Sequence, residues 1–124
     1  MDPVPIIRFA MFSVEYFNQV VIITAYNIRR INFIYIEKLR KLVLQSMKQS
    51  CNKVVINMVG VRLINPGAIE TLKLLCSIAS NIGIKLVLIN VDDELRNQIT
   101  KFDDERLIGI STPEEIEELS GIIN

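Results

Sequence analysis

The stretch KVVINMVGVRLINPGAIETL, residues 53–72, largely decides which fold the sequence predicts. Its first part, Lys53–Met58, is a continuous apolar run of strand length, which is typical of a strand buried on both faces of a sheet. After a short loop, Pro66 begins a helix, because its fixed φ suits the first helical position and the N–H that it lacks would be unpaired there. That helix ends near Gly83, and a second buried strand follows at Lys85–Ile89. The pattern predicts a strand-helix-strand unit with parallel strands.

The segments on both sides of this unit continue the alternation of strands and helices. Alternating apolar residues predict a hairpin before the unit, an amphipathic stripe predicts a first helix, and capping signals mark two further helices. In chain order the flanking elements are a hairpin of Phe12–Tyr16 and Val20–Ile23, a helix at Phe33–Gln49, a helix at about Asp92–Phe102, a short strand at Arg106–Ile110 and a helix from Thr112 through about Leu119. The order β-β-α-β-α-β-α-β-α predicts a single α/β domain over residues 1–124, with a mostly parallel sheet of four to five strands, an N-terminal hairpin and about four helices.

The composition excludes several chemistries. The chain has 124 residues, of which 50% are hydrophobic, with 14 Lys and Arg against 14 Asp and Glu, two Cys and no His. Without histidine there is no Ser-His-Asp or Cys-His triad and no HExxH zinc site, and the carboxylates do not form a catalytic pair. We therefore expect no enzyme activity, no catalytic residue, no cofactor and no metal. Nucleic acid is not an expected partner either, because a basic face with interleaved aromatic residues is missing.

The sequence shows neither a targeting signal nor an apolar run long enough to span a membrane. We therefore expect a cytoplasmic protein without direct membrane insertion. A structural disulfide is not expected in that reducing compartment, so Cys51 and Cys76 are interpreted as small, half-buried thiols.

Charge is distributed unevenly along the chain. Residues 1–62 hold nine Lys or Arg and three Asp or Glu, whereas residues 63–124 hold five and eleven. Such a split gives a folded molecule a dipole if its halves stay apart, but in a small domain we expect them to intermix. The basic residues Lys38, Lys41 and Lys48 of the first helix are interpreted as a solvated face, with an anionic partner as the alternative.

The turn before the second helix carries a family resemblance. Together with the element order, Ile64–Ile69 and Leu72 resemble the pattern I-D-S-S-G-L-x-x-L of the STAS domains, the family of bacterial anti-sigma factor antagonists and of the cytoplasmic domains of sulfate transporters. Further segments resemble the family's preceding strand, its G-x-x-L-x-L strand start and its closing strand-to-helix turn; they are Val54–Val61, Ile82–Asn90 and Ile110–Ile116. The resemblance covers about residues 12–120 and implies a STAS-type fold.

The loop departs from the family pattern at the position where phosphorylation-switched members carry their acceptor. In those members the second Ser of the loop accepts a phosphate from a cognate kinase, and the preceding Asp assists. Here Gly67 stands at the acceptor position, Pro66 at the Ser before it and Asn65 at the Asp. Because there is no hydroxyl between Asn65 and Ile69, the resemblance implies a turn that cannot be phosphorylated. Thr71 is expected inside the helix and is a poor candidate acceptor.

The turn and the helix after it form the candidate partner-binding surface. Open α/β sheets bind ligands at the carboxyl ends of their strands. Pro66 and Gly67 also make sense without any partner, because Pro presets φ for the helix start and Gly allows a close backbone approach. The apolar residues of the second helix occupy an arc of roughly 220°, wider than the stripe of about 100° that one packed face needs, so Leu74 and Ile78 are expected to be partly exposed. The candidate residues are Asn65, Pro66, Gly67, Ala68, Ile69, Leu74 and Ile78. A plain strand-to-helix turn, core packing of Leu74 and Ile78, and homodimerisation stay open as alternatives.

The resemblance implies a non-enzymatic protein-protein interaction module that is similar to anti-sigma factor antagonists and acts in regulation of transcription. Its implied partner is an anti-sigma factor of the histidine-kinase-like ATPase type, bound constitutively because the turn lacks the acceptor Ser. The alternative is a cytosolic subunit of a lipid or solute ABC transporter, with the transporter ATPase as partner. A hypothesis of another class is a small-ligand or nucleotide-binding domain, which has little support because the loop contains neither GxGxxG nor GxxxxGK[ST].

Overall fold

Eight strands and three helices form the described part of the chain, which is residues 6–9, 11–111 and 114–115 of a computed structural model. The strands are β1 (Ile6–Phe9), β2 (Phe12–Phe17), β3 (Val20–Ala25), β4 (Arg30–Ile31), β5 (Lys53–Asn57), β6 (Leu63–Ile64), β7 (Lys85–Ile89) and β8 (Gly109–Ile110). The helices are α1 (Phe33–Met47), α2 (Pro66–Asn81) and α3 (Asp93–Phe102).

Each helix begins with a residue that suits its N-terminus. Asn32 precedes α1, and its side-chain oxygen accepts the N–H of Tyr35 at 3.0 Å. Asp92 precedes α3 and accepts the N–H of Leu95 at 2.8 Å. The helix α2 begins with Pro66. The two caps provide acceptors for N–H groups that a first helical turn leaves unpaired, and proline removes one such group altogether.

The main sheet has six strands, and their order β1-β2-β3-β5-β7-β8 follows the order of the chain. The strands β1, β2 and β3 pair antiparallel, whereas β3, β5, β7 and β8 pair parallel. The strands β4 and β6 form a separate parallel ladder in which Ile31 lies opposite Ile64. The continuous apolar sequences of β5 and β7 thus occupy interior positions of the main sheet, as the pattern predicts.

All three helices contribute to an apolar core on one face of the main sheet. Their buried side chains pack with Val54 and Ile56 of β5 and with Leu86 and Leu88 of β7. The intervening strand residues form a smaller buried cluster on the other face; its members are Ile22, Val55, Val87 and Ile89. The sheet is therefore buried on both faces along its central strands, although the helices described above cover only one of them.

The predicted α/β fold with an N-terminal hairpin and parallel pairing is confirmed, but the sheet has six strands rather than four to five. The sequence pattern misses β1, β4 and β6, because runs of two to four residues are too short to show a period. Most of the predicted last helix, from Thr112 through Leu119, lies outside the described residues. Glu114 and Glu115, the described residues of that segment, are both helical.

The predicted strand Arg106–Ile110 is shorter than expected and covers only Gly109–Ile110. The reason is the buried side chain of Asp103, whose two carboxylate oxygens accept the N–H groups of Leu107 and Ile108, both at 2.9 Å. These two N–H groups are therefore bound by a side chain and do not take part in a ladder. The first helix is also shorter than predicted and ends at Met47 rather than Gln49.

The strands of the main sheet that come from the two charged halves lie on different sides of it. Because the strand order follows the chain order, the basic first half provides β1, β2, β3 and β5 on one side of the main sheet. The acidic second half provides β7 and β8 on the other side. Contacts also join the two halves, because β4 pairs with β6 and Arg62 Nε lies 3.8 Å from the carboxylate of Asp92.

Candidate functional site

The starts of α1 and α2 lie side by side at the carboxyl end of the parallel strands. The β4–β6 ladder precedes both helices and places Ile31 opposite Ile64. The N–H of Asn65 extends this contact by donating to the carbonyl oxygen of Ile31 at 3.1 Å. The predicted turn therefore shares one surface with the first residues of α1, at the edge where open α/β sheets bind their ligands.

The turn Asn65–Gly67 is exposed, and its polar side chain takes no part in capping the helix. Asn65 supports α2 through its main chain, because its carbonyl oxygen accepts the N–H groups of Ala68 at 2.9 Å and Ile69 at 3.1 Å. Its side-chain amide makes no capping hydrogen bond. This amide is therefore available to donate to, and accept from, a molecule that approaches the turn.

Gly67 is not required by a close backbone approach, contrary to the expectation from the sequence. A Cβ atom at this position would meet no atom within 4 Å, and Gly67 is not among the glycines with positive φ. A serine side chain would therefore fit at Gly67 without displacing a neighbour. The hydroxyl of Thr71 donates to the carbonyl oxygen of Gly67 at 3.3 Å and lies within the helix.

The structure separates the remaining predicted site residues into two groups. Ala68 and Ile69 are buried in the core, so their side chains support the turn and cannot contact a partner directly. Leu74 is 58% exposed and Ile78 is half-buried against the core. The surface therefore consists of the turn and Leu74, with Ile78 at its margin.

Three exposed apolar residues at this edge are missed by the sequence analysis. Phe33 and Ile34 are 74% and 61% exposed at the start of α1, and Val59 is 50% exposed in the loop between β5 and β6. The sequence contains a signal for the exposure of Phe33 and Ile34, because the core-facing apolar stripe of α1 begins only at Ile36 and does not include them. Exposed apolar side chains that cluster near a loop are a common mark of an interface.

Side-chain hydrogen bonds hold the loop between β5 and α2 in place. The side chain of Gln98 in α3 bridges two points of this loop, accepting the N–H of Ile64 at 2.9 Å and donating to the carbonyl oxygen of Arg62 at 3.1 Å. The side-chain oxygen of Asn57 accepts the N–H of Val59 at 3.1 Å and the side-chain amide of Asn90 at 2.8 Å. These bonds fix the surface before any partner binds, which lowers the entropy cost of binding.

The ionisable groups with shifted pKa values do not form an acid-base pair. Burial raises the pKa of Cys76 to about 11 and also raises the pKa of Cys51, so both thiols are protonated and weakly nucleophilic at neutral pH. A hydrogen bond from Arg40 lowers the pKa of Glu37, and the two groups lie 3.0 Å apart on α1. These shifts have structural causes and lie away from the turn.

The described ranges lack two features, a metal-binding cluster and a membrane-spanning helix. No group of three or more His, Cys, Asp or Glu residues in these ranges could hold a metal ion. No helix in the same ranges is long and apolar enough to cross a membrane.

Comparison with solved structures finds the same fold in proteins of low sequence identity. An anti-sigma factor antagonist (STAS) domain protein from Planctomyces limnophilus is 20% identical, with 88% of this chain and 95% of that chain covered and a TM-score of 0.67. Unphosphorylated SpoIIAA, an anti-sigma factor antagonist, is 16% identical, with 91% and 99% covered and a TM-score of 0.66. The Bacillus protein SpoIIAA is also known in a phosphorylated form.

A third similar structure is a much larger protein, the murine anion transporter solute carrier 26 family member A9. It is 21% identical, with a TM-score of 0.60, and the match covers 74% of this chain. The chain spans only 16% of the length of the transporter. At these identities the likeness concerns the fold.

Comparison with sequence families and curated proteins gives one match and one negative result. A search of curated proteins finds no match. The family model of the STAS domain matches residues 18–117, which is most of the chain. The chain therefore belongs to the STAS domain family.

Proposed function

We propose that the chain is a non-enzymatic protein-protein interaction module of the anti-sigma factor antagonist type, acting in the cytoplasm. The observation that carries the proposal is the turn Asn65–Gly67, which is exposed and in which the side-chain amide of Asn65 makes no capping hydrogen bond. The loop that leads to this turn is held rigid by Gln98. A rigid, exposed segment with uncommitted polar groups is suited to bind a second protein without rearrangement.

Apolar side chains beside the turn supply the contact area. Phe33 and Ile34 are exposed on the neighbouring helix start, and Leu74 is exposed on α2, about 11 Å along the helix axis from Gly67. Burying one such side chain contributes roughly 1.5–3 kcal/mol. The proposed surface is thus larger than the turn alone and includes both helix starts.

The partner that we propose is an anti-sigma factor of the kinase-like ATPase type. Membership of the STAS family and the fold shared with SpoIIAA support it. SpoIIAA is known in phosphorylated and unphosphorylated forms, whereas this chain carries Gly67 where the motif places the acceptor Ser. We therefore propose that this chain binds constitutively, because its turn offers no acceptor oxygen.

A transporter ATPase is the second candidate partner. The fold shared with a segment of a murine anion transporter favours it, since that segment belongs to a transport protein. In this alternative the chain acts as a small cytosolic subunit and uses the same surface. Homodimerisation through that surface is a third alternative.

The experiment compares partner binding by the wild type and by a Phe33→Asp, Leu74→Asp double variant. Proteins captured from a lysate of the source organism are identified by mass spectrometry, and the leading candidate is purified and titrated against each variant by calorimetry. Loss of two buried apolar contacts weakens binding by about 100-fold or more. Ile82→Asp is the matched control, because Ile82 is 57% exposed but lies at the opposite end of α2.

The expected result is retained binding by the Ile82→Asp variant and loss of binding by the double variant. Equal binding by all three proteins would overturn the proposed surface. A Gly67→Ser variant tests the constitutive character: a kinase-type partner with ATP phosphorylates this variant but not the wild type, as intact-mass measurement would detect. A wild-type chain that gains phosphate at the turn would contradict the proposal.

A further inference from the structure

A pocket beside the candidate surface is lined by two arginines from two different loops. The pocket has a volume of about 340 Å³ and lies between the β3–β4 loop and the β5–β6 loop. Its lining residues are Asn27, Ile28, Arg29, Gly60 and Arg62. The N–H groups of Arg62 and Leu63 donate to the carbonyl oxygen of Arg29, at 2.8 and 3.1 Å, so the main chains of the two arginines are fixed side by side.

Main-chain N–H groups around this pocket have no acceptor within the part of the chain that the structure describes. They belong to Asn27, Ile28, Arg29 and Gly60, which line the pocket. The guanidinium group of Arg29 likewise forms no ion pair or hydrogen bond with the described residues. The residues that line the pocket thus carry two cationic side chains and main-chain N–H groups without an acceptor among the described residues, and none of these residues is acidic.

Within the described residues, the carboxylate of Asp92 forms an ion pair with Arg62, and this pair is weak. Asp92 lies 3.8 Å from Arg62 Nε, beyond the length of a strong charge-assisted hydrogen bond. Its other oxygen already accepts the N–H of Leu95 at 2.8 Å as the cap of α3. Both members of this pair are substantially exposed, and an exposed ion pair of this kind contributes little. Arg62 can therefore turn its guanidinium group toward another anion at small cost.

We propose that this pocket binds an oxyanion of the phosphate type, carried by a small phosphate compound or by a phospholipid headgroup. Each guanidinium group can donate two parallel hydrogen bonds to phosphate oxygens, and main-chain N–H groups in a concave turn complete the coordination of such anions. The proposal goes beyond the docking function, because it uses Arg29 and Arg62 and none of the residues of the α2 turn. It stands or falls separately from the identity of the protein partner.

The test is a titration of the ¹⁵N-labelled protein with inorganic phosphate, followed by NMR and compared with chloride at the same ionic strength. We expect saturable shifts of the amides of Asn27, Arg29 and Gly60 with phosphate and not with chloride. The variants Arg29→Gln and Arg62→Gln should each weaken phosphate binding by about tenfold, because each removes a charge-assisted contact. Arg30→Gln is the control, since Arg30 is an exposed neighbour that does not line the pocket.

Each result of the titration decides for or against the pocket. Equal shifts with phosphate and chloride, or equal weakening by the Arg30→Gln variant, would mean that only general charge attraction acts and would overturn the proposal. All three substitutions are at exposed positions, and the unshifted amide resonances of each variant verify that it is folded.

A second measurement identifies the source of the phosphate group once phosphate binding has been observed. Vesicles of phosphatidylcholine with phosphatidic acid are sedimented with the protein, beside vesicles of phosphatidylcholine alone. Co-sedimentation that requires phosphatidic acid and is lost in Arg29→Gln assigns the pocket to a lipid headgroup. Phosphate binding without co-sedimentation assigns it to a free phosphate compound.

Discussion

The helices α1 and α2 begin side by side after the same residue type, but they use it differently. Asn32 caps α1 with its side chain, which accepts the N–H of Tyr35 at 3.0 Å. Asn65 precedes α2 with its side chain unbonded and exposed. The second helical residue differs as well, being Ile34 in α1 and Gly67 in α2.

This difference shows that the side chain before α1 stabilises the fold, whereas the side chain before α2 does not. A side-chain cap contributes about 1 kcal/mol, and α1 makes use of it. The start of α2 has instead the preset φ of Pro66, which favours the helix without using the polar group of Asn65. The α2 start thus holds polar atoms that folding does not require, whereas the α1 start contributes exposed apolar side chains. Together they form a surface with the two components that a protein interface needs.

The largest expected effect is on the free energy of unfolding, and it comes from substitutions in the β4–β6 ladder that precedes both α1 and α2. Ile31 and Ile64 lie opposite one another in the β4–β6 ladder, and both are buried. Replacing either by alanine should lower the free energy of unfolding by about 3 kcal/mol, because each change leaves a cavity. Urea unfolding measures the change, with the exposed Phe33→Ala as control at less than about 0.5 kcal/mol. A large loss for one isoleucine only would show that the two helix starts do not depend on common support.

The second effect is on the pH dependence of stability, and it distinguishes Cys76, within α2, from Cys51, which follows α1. Burial raises the pKa of Cys76 from 9.0 to about 11, so the folded protein holds this proton more tightly than the unfolded chain does. The resulting stabilisation amounts to about 3 kcal/mol; it is complete below pH 9 and is lost as the pH rises through 11.

Urea unfolding of the wild type and of Cys76→Ala at pH 8 and near pH 11 measures this loss, because contributions from other groups cancel in the difference. The wild type should lose about 2 kcal/mol more than the variant. The half-buried Cys51 provides the comparison, since Cys51→Ala should follow the wild type more closely. Identical alkaline losses in wild type and Cys76→Ala would rule out this role of Cys76.

The third effect compares the two asparagines directly. Asn32→Ala removes a capping hydrogen bond and should lower the free energy of unfolding by about 1 kcal/mol. Asn65→Ala removes no such bond and should change it by less than about 0.5 kcal/mol. Thermal unfolding of both variants followed by circular dichroism provides the measurement. Equal losses would mean that the Asn65 side chain is also used by the fold, and the comparison would fail.

The smallest effect concerns the glycine of the α2 start. Gly67→Ala should raise the free energy of unfolding by about 0.5 kcal/mol, because alanine restricts the unfolded chain and its Cβ meets open space. Gly60→Ala is the contrasting variant: Gly60 has φ +84, so a side chain there is strained and should destabilise the fold. Urea unfolding distinguishes the two signs. A destabilising Gly67→Ala would show that the fold itself requires this glycine.

The elements that the sequence predicts are those whose own residues specify them. The apolar runs of β5 and β7 and the capping residue of α3 are local signals, and each appears where the pattern places it. The ladder of β4 and β6 has two residues per strand, and it exists because two loops meet in the folded chain. Such pairing has no local signature, so a reading of the sequence cannot find it.

The candidate site likewise has features that follow from local sequence signals and features that depend on contacts in the folded chain. The position and exposure of Asn65 follow from the strand-to-helix pattern, and Leu74 is exposed because it lies outside the arc that one sheet face can cover. The family motif includes Ile69 in the candidate turn, although the helical period places this residue in the core. The proximity of Arg29 to Arg62 depends on the β4–β6 ladder and could not be predicted from either loop alone.

The strand order of the main sheet also bears on folding during synthesis. Because that order follows the chain, each strand can add to the edge left by the one before it as the chain emerges from the ribosome. Pairing between successive elements also shortens the loops that must close, which favours fast folding. The candidate partner-binding surface forms when β6 pairs with β4. It becomes rigid only after α3 has been synthesised, when the side chain of Gln98 forms hydrogen bonds with the main chain of Ile64 and Arg62.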